Sequence, residues 1–163
     1  LLEKESIDVV QVERGGDITY HGPGQLVIYT LMDIQRARIG APDLVSALEA
    51  IMIDLAAAFG IEAERNPLNR GVWIGNEKLG SIGIAVRKGV TFHGLALNVN
   101  TDLTHFSWIN PCGLQNVGMT SPEKALLRKI DMNEARRIVR GCIESSLDVK
   151  LKRIEPEELK HII

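Results

Sequence analysis

Three short, small-residue-rich apolar segments follow one another between residues 71 and 99: GVWIG (71–75), KLGSIGIAV (78–86) and TFHGLALNV (91–99). Asn76-Glu77 separates the first two and Arg87-Lys88-Gly89 the second pair, both good turn material. Neighbouring strands joined by so few residues can pair only antiparallel, because a parallel neighbour needs a long crossover. The pattern predicts an antiparallel meander. Each strand is too short to stand alone, so the sheet must be backed by helices.

The flanking sequence supplies those helices. Ala41-Pro42-Asp43 opens one, with proline tolerated in the first turn, and Leu44, Leu48, Ile51, Leu55 and Phe59 recur at three and four to lay one stripe on a core. Gly60 stops it. Ser121-Pro122-Glu123 opens a short helix capped by serine. Asp131 and Glu134 are spaced as a capping box for a last helix, whose apolar face is Ala135, Ile138, Val139, Cys142, Ile143 and Leu147. Residues 7–14, 26–31 and 61–64 read as further strands, and residues 149–151 as a short one in the tail, followed by a helical turn. The fold class is α+β, a mixed or antiparallel sheet with packed helices.

At 163 residues the chain fits a single domain, 1–163, with 45% hydrophobic and 25% charged residues. A net charge of −2 gives no electrostatic case for nucleic acid. No apolar run reaches membrane-spanning length. Cys112 and Cys142 have unlike surroundings and form no CxxC pair, so free thiols and a cytoplasmic location are expected. The first residues, Leu1-Leu2-Glu3-Lys4, include no initiator methionine.

Several residues are candidates for chemistry. Cys112 lies between Pro111 and Gly113, on a loop that could hold a nucleophile at a fixed point, although an ordinary buried cysteine reads the same way. Lys78 interrupts an apolar strand pattern near Gly80 and Gly83. It is either a strand-end lysine in water or a cation beside a slot opened by missing side chains, where the glycines mark a bulge or an apolar ligand against the backbone. A neighbouring ammonium favours a thiolate and can return a proton to a departing thiol. Residues 14–24 (RGGDITYHGPG) hold four glycines, whose exposed N–H groups can hold an oxyanion, a carbonyl or a phosphate, or simply form a turn between strands. The spacing fits neither a dinucleotide fingerprint nor a P-loop. His21, His93 and His105 are the only reasonable metal ligands and no close-spaced pair supports them; a histidine base for Cys112 remains open. Cys142, on the stripe of the last helix, reads as core. These residues suggest acyl or amide chemistry through a thioester, against a ligand-binding or non-enzymatic reading.

The segments RGGDITYHGPGQLVIY (14–29), GVWIGNEKLGSIGIAVRKGVTFHGLALNVNTDL (71–103) and INPCGLQNVGMTS (109–121) resemble, in this order, the lipoyl(octanoyl) transferase family of lipoate biosynthesis. The resemblance implies a catalytic domain of the biotin/lipoate protein ligase type. It implies transfer of octanoyl from octanoyl-acyl carrier protein to a lysine of lipoyl domains in 2-oxoacid dehydrogenase complexes and of the glycine cleavage H protein. Carried over by position, Cys112 is the acyl-thioester nucleophile and Lys78 its partner, near which the acceptor amine loses its proton. Arg14, Gly15, Gly16, Asp17, Ile18, Thr19, Tyr20 and His21 form the first substrate-binding loop, and Ser81-Ile82-Gly83 and Gly94-Leu95-Ala96 two further substrate-contacting stretches. Backbone N–H groups near Gly16 or Cys112 would steady the oxyanion. A thioester is already activated, so the implied reaction uses neither ATP nor metal and no cofactor.

Members of that family normally carry several dozen residues before the glycine-rich loop, and here it begins at Arg14. The reading is therefore of a catalytic domain lacking the usual N-terminal portion. Three rivals remain: ATP-dependent lipoate or biotin ligases, which have no use for a covalent thiol; cysteine-dependent transferases that take octanoyl from another lipoyl-type protein; and a silent carrier-binding module. Arg87 and Lys88 could form a local basic patch for an acidic carrier.

Overall fold

The computed structural model describes residues 7–67, 69–110 and 117–159. Among them six strands form one sheet: β1 (Gln25–Tyr29), β2 (Glu64–Asn66), β3 (Asn69–Ile74), β4 (Glu77–Arg87), β5 (Val90–Asn98) and β6 (Gly118–Met119). The order across the sheet is β1-β5-β4-β3-β2, all antiparallel, and β6 adds to β4 in parallel. The meander read from sequence is β3, β4 and β5. Lys88 and Gly89 both take positive φ (51° and 82°) in the tight turn between β4 and β5, as that hairpin requires.

Helix α1 (Ile34–Ala37) is a short turn capped by the Asp33 carboxylate, which accepts from the N–H groups of Gln35 and Arg36 at 3.0 Å. Helix α2 (Ala41–Ala58) follows. Its stripe of Leu44, Leu48, Ile51, Met52 and Leu55 is fully buried against β3, β4 and β5. The helix ends where Phe59 and Gly60 (φ 76°) return their N–H groups to Ala56 and Ala57. Ser121 caps α3 (Pro122–Leu126) by accepting from Lys124 N at 3.2 Å. Asp131 caps α4 (Met132–Ser146) by accepting from Asn133 N at 2.8 Å. On α4, Ala135 and Val139 are buried, and Ile138, Cys142, Ile143 and Leu147 pack against the same core. A final turn, α5 (Pro156–Leu159), closes the described chain.

Only one face of the sheet carries these helices. Leu26 and Leu97, then Ile28 and Leu95, pair across β1 and β5 and belong to the helix-covered core. The alternate positions turn the other way. Val27, Ala96 and Ser81 form one cross-strand row there, and Tyr29, Gly94 and Gly83 the next.

Two expected strands are absent. Residues 7–14 form no ladder among the described residues: the neighbouring Gly15 N donates to Ile84 O of β4 (3.0 Å), and Val9, Val10 and Val12 stay 50–73% exposed. Residues 149–151 are held instead by α4, through Val149 N to Glu144 O (3.1 Å) and Leu151 N to Glu144 Oε1 (2.9 Å). The strand expected at 61–64 starts later, at Glu64, because Ile61 N still closes the end of α2 on Ala56 O.

Candidate functional site

The helix-free face of the sheet floors a cleft of about 350 Å³. The extended segment after Ile7 and the glycine-rich loop wall it, and the lining is mainly apolar. Of the residues singled out in sequence, Arg14, Gly16, Ile18, Thr19, Tyr20, His21, Ser81, Ile82, Gly83, Gly94, Leu95 and Ala96 all line this one space. Gly15 and Asp17 do not. The Gly15 N–H is spent on Ile84 O, and the Asp17 carboxylate accepts from Ile18 N at 2.7 Å within its own turn.

The glycines work differently from a simple slot. A Cβ on Gly80 would meet Met52 Sδ at 2.5 Å, so Gly80 faces the helix layer and opens nothing in the cleft. A Cβ on Gly83 would sit 2.9 Å from Gly15 O and 2.9 Å from Arg14 Cδ, and one on Gly94 2.2 Å from Ile28 O. Their missing side chains let the protein's own backbone close in. Gly83 seats the glycine-rich turn on β4, and Gly94 lets β1 approach β5. The next row of the cleft floor, Ser81 and Ala96, leaves room above the sheet because its side chains are short.

Lys78 is reached through a bulge. Val72 pairs with Gly80 but Trp73 with Lys78, leaving Leu79 as an extra residue in β4. Leu79 joins the helix-side core although its neighbour Gly80 faces the same layer. That slip turns Lys78 to the side of Trp73, with Nζ 5.5 Å from the indole centroid. Lys78 is only 1% exposed, and its ammonium donates to Asn69 Oδ1. It is therefore not the solvated strand-end lysine that local sequence allowed.

Cys112 lies outside the described residues. On either side of the segment that contains it, Ile109 lines the cleft and Met119 pairs with Lys78 across β6 and β4. Cys142 packs on the core, and burial, reinforced by the Asp54 carboxylate, holds its thiol pKa above the ordinary 9.0.

Sequence reasoning passed over Trp108 and Gln25 and weighed His105 only as a metal ligand. His105 stacks on Tyr20 (centroids 4.6 Å, 14° between planes) with Trp108 edge-on at 4.7 Å, building an aromatic wall. Gln25 lies under the glycine-rich loop. Its Nε2 donates to Tyr20 O (3.3 Å) and to Asn98 Oδ1 (2.9 Å), while its Oε1 faces His21 Nδ1 at 2.7 Å. Polar residues on β1 and β5 give no such signal in a single sequence, since their partners are 73 positions apart. Arg87 is already engaged, ion-paired with Glu13 and 5.9 Å from the Phe92 centroid. Among the described residues no three His, Cys, Asp or Glu side chains gather as a metal site, and no helix is long and apolar enough to cross a membrane.

Comparison with known proteins bears on the family and the fold. Residues 1–144 match the family described as "Lipoyl protein ligase A/B catalytic domain". The octanoyltransferase of Desulfotalea psychrophila is 50% identical over 139 residues, 84% of this chain and 62% of that protein. That of Pseudomonas entomophila is 46% identical over 148 residues, 91% of this chain and 68% of that protein. The chain thus spans about three fifths to two thirds of the length of these relatives. In fold it is similar to a lipoate-protein ligase A crystallised with ATP (TM-score 0.76, 17% identity, 98% of this chain and 67% of that one). It is also similar to the biotin protein ligase of Aquifex aeolicus (TM-score 0.61, 16% identity, 77% and 53%). The catalytic-domain match over 144 positions, together with half-identity to curated octanoyltransferases, means that the chain belongs to the lipoyl protein ligase A/B catalytic domain family, among its octanoyltransferases.

Proposed function

We propose that this protein transfers an octanoyl group from acyl carrier protein to a lysine of lipoyl domains, through a thioester on Cys112. Near half-identity to octanoyltransferases over most of the chain carries the reading. The cleft supports it: an apolar trough at the small end of the ~300–1,000 Å³ range of ligand clefts suits an unbranched acyl chain. The residues bet on are Cys112 as nucleophile and Lys78 as its proton partner, with residues 14–21, Ser81, Ile82, Gly83, Gly94, Leu95 and Ala96 around the chain.

In the first step the Cys112 thiolate attacks the carrier thioester. The bond to Cys112 sulfur forms, the bond to the carrier sulfur breaks, and the Lys78 ammonium gives the carrier thiolate its proton. In the second step the acceptor amine attacks the octanoyl–Cys112 carbonyl, an amide forms and Cys112 is released. A buried ammonium held by Asn69 and Trp73 supports the reading of Lys78 as the group that favours the thiolate.

Incubation with octanoyl-acyl carrier protein followed by intact-mass measurement tests the reading. One octanoyl adduct is expected, lost in Cys112→Ser and discharged by a lipoyl domain or H protein. An adduct that persists in Cys112→Ser overturns the nucleophile. An adduct formed only from an octanoylated lipoyl-type protein overturns the carrier donor.

A further inference from the structure

The hydrogen bonds beneath the glycine-rich loop run in one direction. Asn98, 1% exposed on β5, must present Nδ2 to Thr120 O (3.2 Å), since a carbonyl only accepts. That leaves its Oδ1 toward Gln25, which donates from Nε2 to it at 2.9 Å and to Tyr20 O at 3.3 Å. Two backbone carbonyls therefore fix both amides. The remaining Gln25 atom, Oε1, lies 2.7 Å from His21 Nδ1 and can only accept. The neutral imidazole must then carry its proton on Nδ1, which leaves the lone pair on Nε2. The far end of the chain reaches the buried lysine, because Thr120 N donates to Lys78 O at 3.0 Å.

We infer that Gln25 and Asn98 are positioning residues that hold His21 as the Nδ1–H tautomer, making Nε2 the proton acceptor for the incoming lysine. The tautomer follows from the hydrogen bonds alone; the acceptor role rests on the acyl-transfer reading. A second base lets Cys112 leave as the thiolate. A lysine ammonium loses two protons in becoming an amide, and Lys78, having given one proton to the carrier thiol, takes back one; without another acceptor the second goes to the departing Cys112 sulfur. His21 lines the same cleft and supplies that acceptor. His21 Nε2 takes the first, freeing the amine. The C–N bond then forms as the bond to Cys112 sulfur breaks, and the second nitrogen proton passes to Lys78. This restores the thiolate–ammonium pair, and the imidazolium gives its proton to water.

Nitrogen-15 spectra of the histidine rings, with His21 assigned by His21→Gln, read the tautomer in the whole chain. The expected pattern is Nδ1–H with an unprotonated Nε2, lost in Gln25→Met. Pre-formed octanoyl–Cys112 enzyme then reports the second step. Discharge to a lipoyl domain should slow about tenfold in Gln25→Met and about 100-fold in His21→Gln, the lower end for a general base, and more than adduct formation does. An Nε2–H tautomer in the unaltered protein overturns the inference without using activity, even if Gln25→Met does not fold. A correct tautomer with unchanged discharge in His21→Gln overturns the acceptor role. Failure of any thioester to load Cys112 defeats the acyl-transfer reading and the acceptor role with it, while the tautomer still stands or falls on the spectra.

Discussion

Gly83→Ala tests how the cleft is assembled. The new Cβ would lie 2.9 Å from Gly15 O, a backbone atom that cannot rotate away, and as close to Arg14 Cδ. Ordinary contact begins near 3.4 Å, so the turn must withdraw by about 0.5 Å. The Gly15 N to Ile84 O bond, now 3.0 Å, then stretches to the limit of hydrogen bonding. Losing it costs about 1 kcal/mol, and residual overpacking adds about 1–2 kcal/mol. At ~2–4 °C per kcal/mol for a chain of this size, Tm should fall by roughly 5–10 °C. Octanoyl–Cys112 formation should fall disproportionately, because what moves is the cleft wall and not the core. Gly141→Ala is the control: nothing lies within 4 Å of its Cβ, mid-helix on α4, and it should stabilise by about 0.5–1 kcal/mol. Calorimetry and intact-mass kinetics on both variants give the answer. An unchanged Tm and unchanged loading in Gly83→Ala would refute the claim that Gly83 exists to seat the loop.

Two other outcomes follow from buried groups. Glu49 on α2 is buried between Arg65 (3.2 Å) and Arg70 (3.4 Å), both about half exposed, and accepts from Gly71 N at 3.0 Å. Glu49→Gln keeps that acceptor and strands only hydrated guanidiniums, so it should cost about 1 kcal/mol. Removing both arginines leaves a buried carboxylate and should cost about 3–5 kcal/mol; the opposite order in urea unfolding would refute the account. Cys142, with its pKa raised by burial and by Asp54, holds less thiolate at any given pH than an ordinary cysteine. Its alkylation, followed by peptide mapping, should be slower in the native than the unfolded chain at pH 8.5 and still be rising above pH 9; a native midpoint at or below 9 would contradict that cause.

Periodicity and turn chemistry were enough to predict the meander, the stripe of α2 and the caps of α3 and α4, because those depend on residues within one or two turns of each other. The motifs at Arg14, Lys78 and Cys112 carried the family resemblance in the same way. Other features were settled by residues distant in sequence. Residues 7–14 have strand composition but form no ladder among the described residues, since the backbone bond to the β4 edge comes from Gly15, just beyond them. Gly80 and Gly83 look alike in sequence, yet one admits Met52 and the other the glycine-rich turn. Whether Lys78 ends in water or beside Trp73 depends on one extra residue at Leu79, and the proton on His21 depends on a carbonyl at Thr120. Sequence by itself determined which chemical groups are present and which local elements hold them. Tertiary structure decided which face each group meets, because a strand's face changes with a single-residue slip and a hydrogen bond's direction depends on its most distant fixed partner.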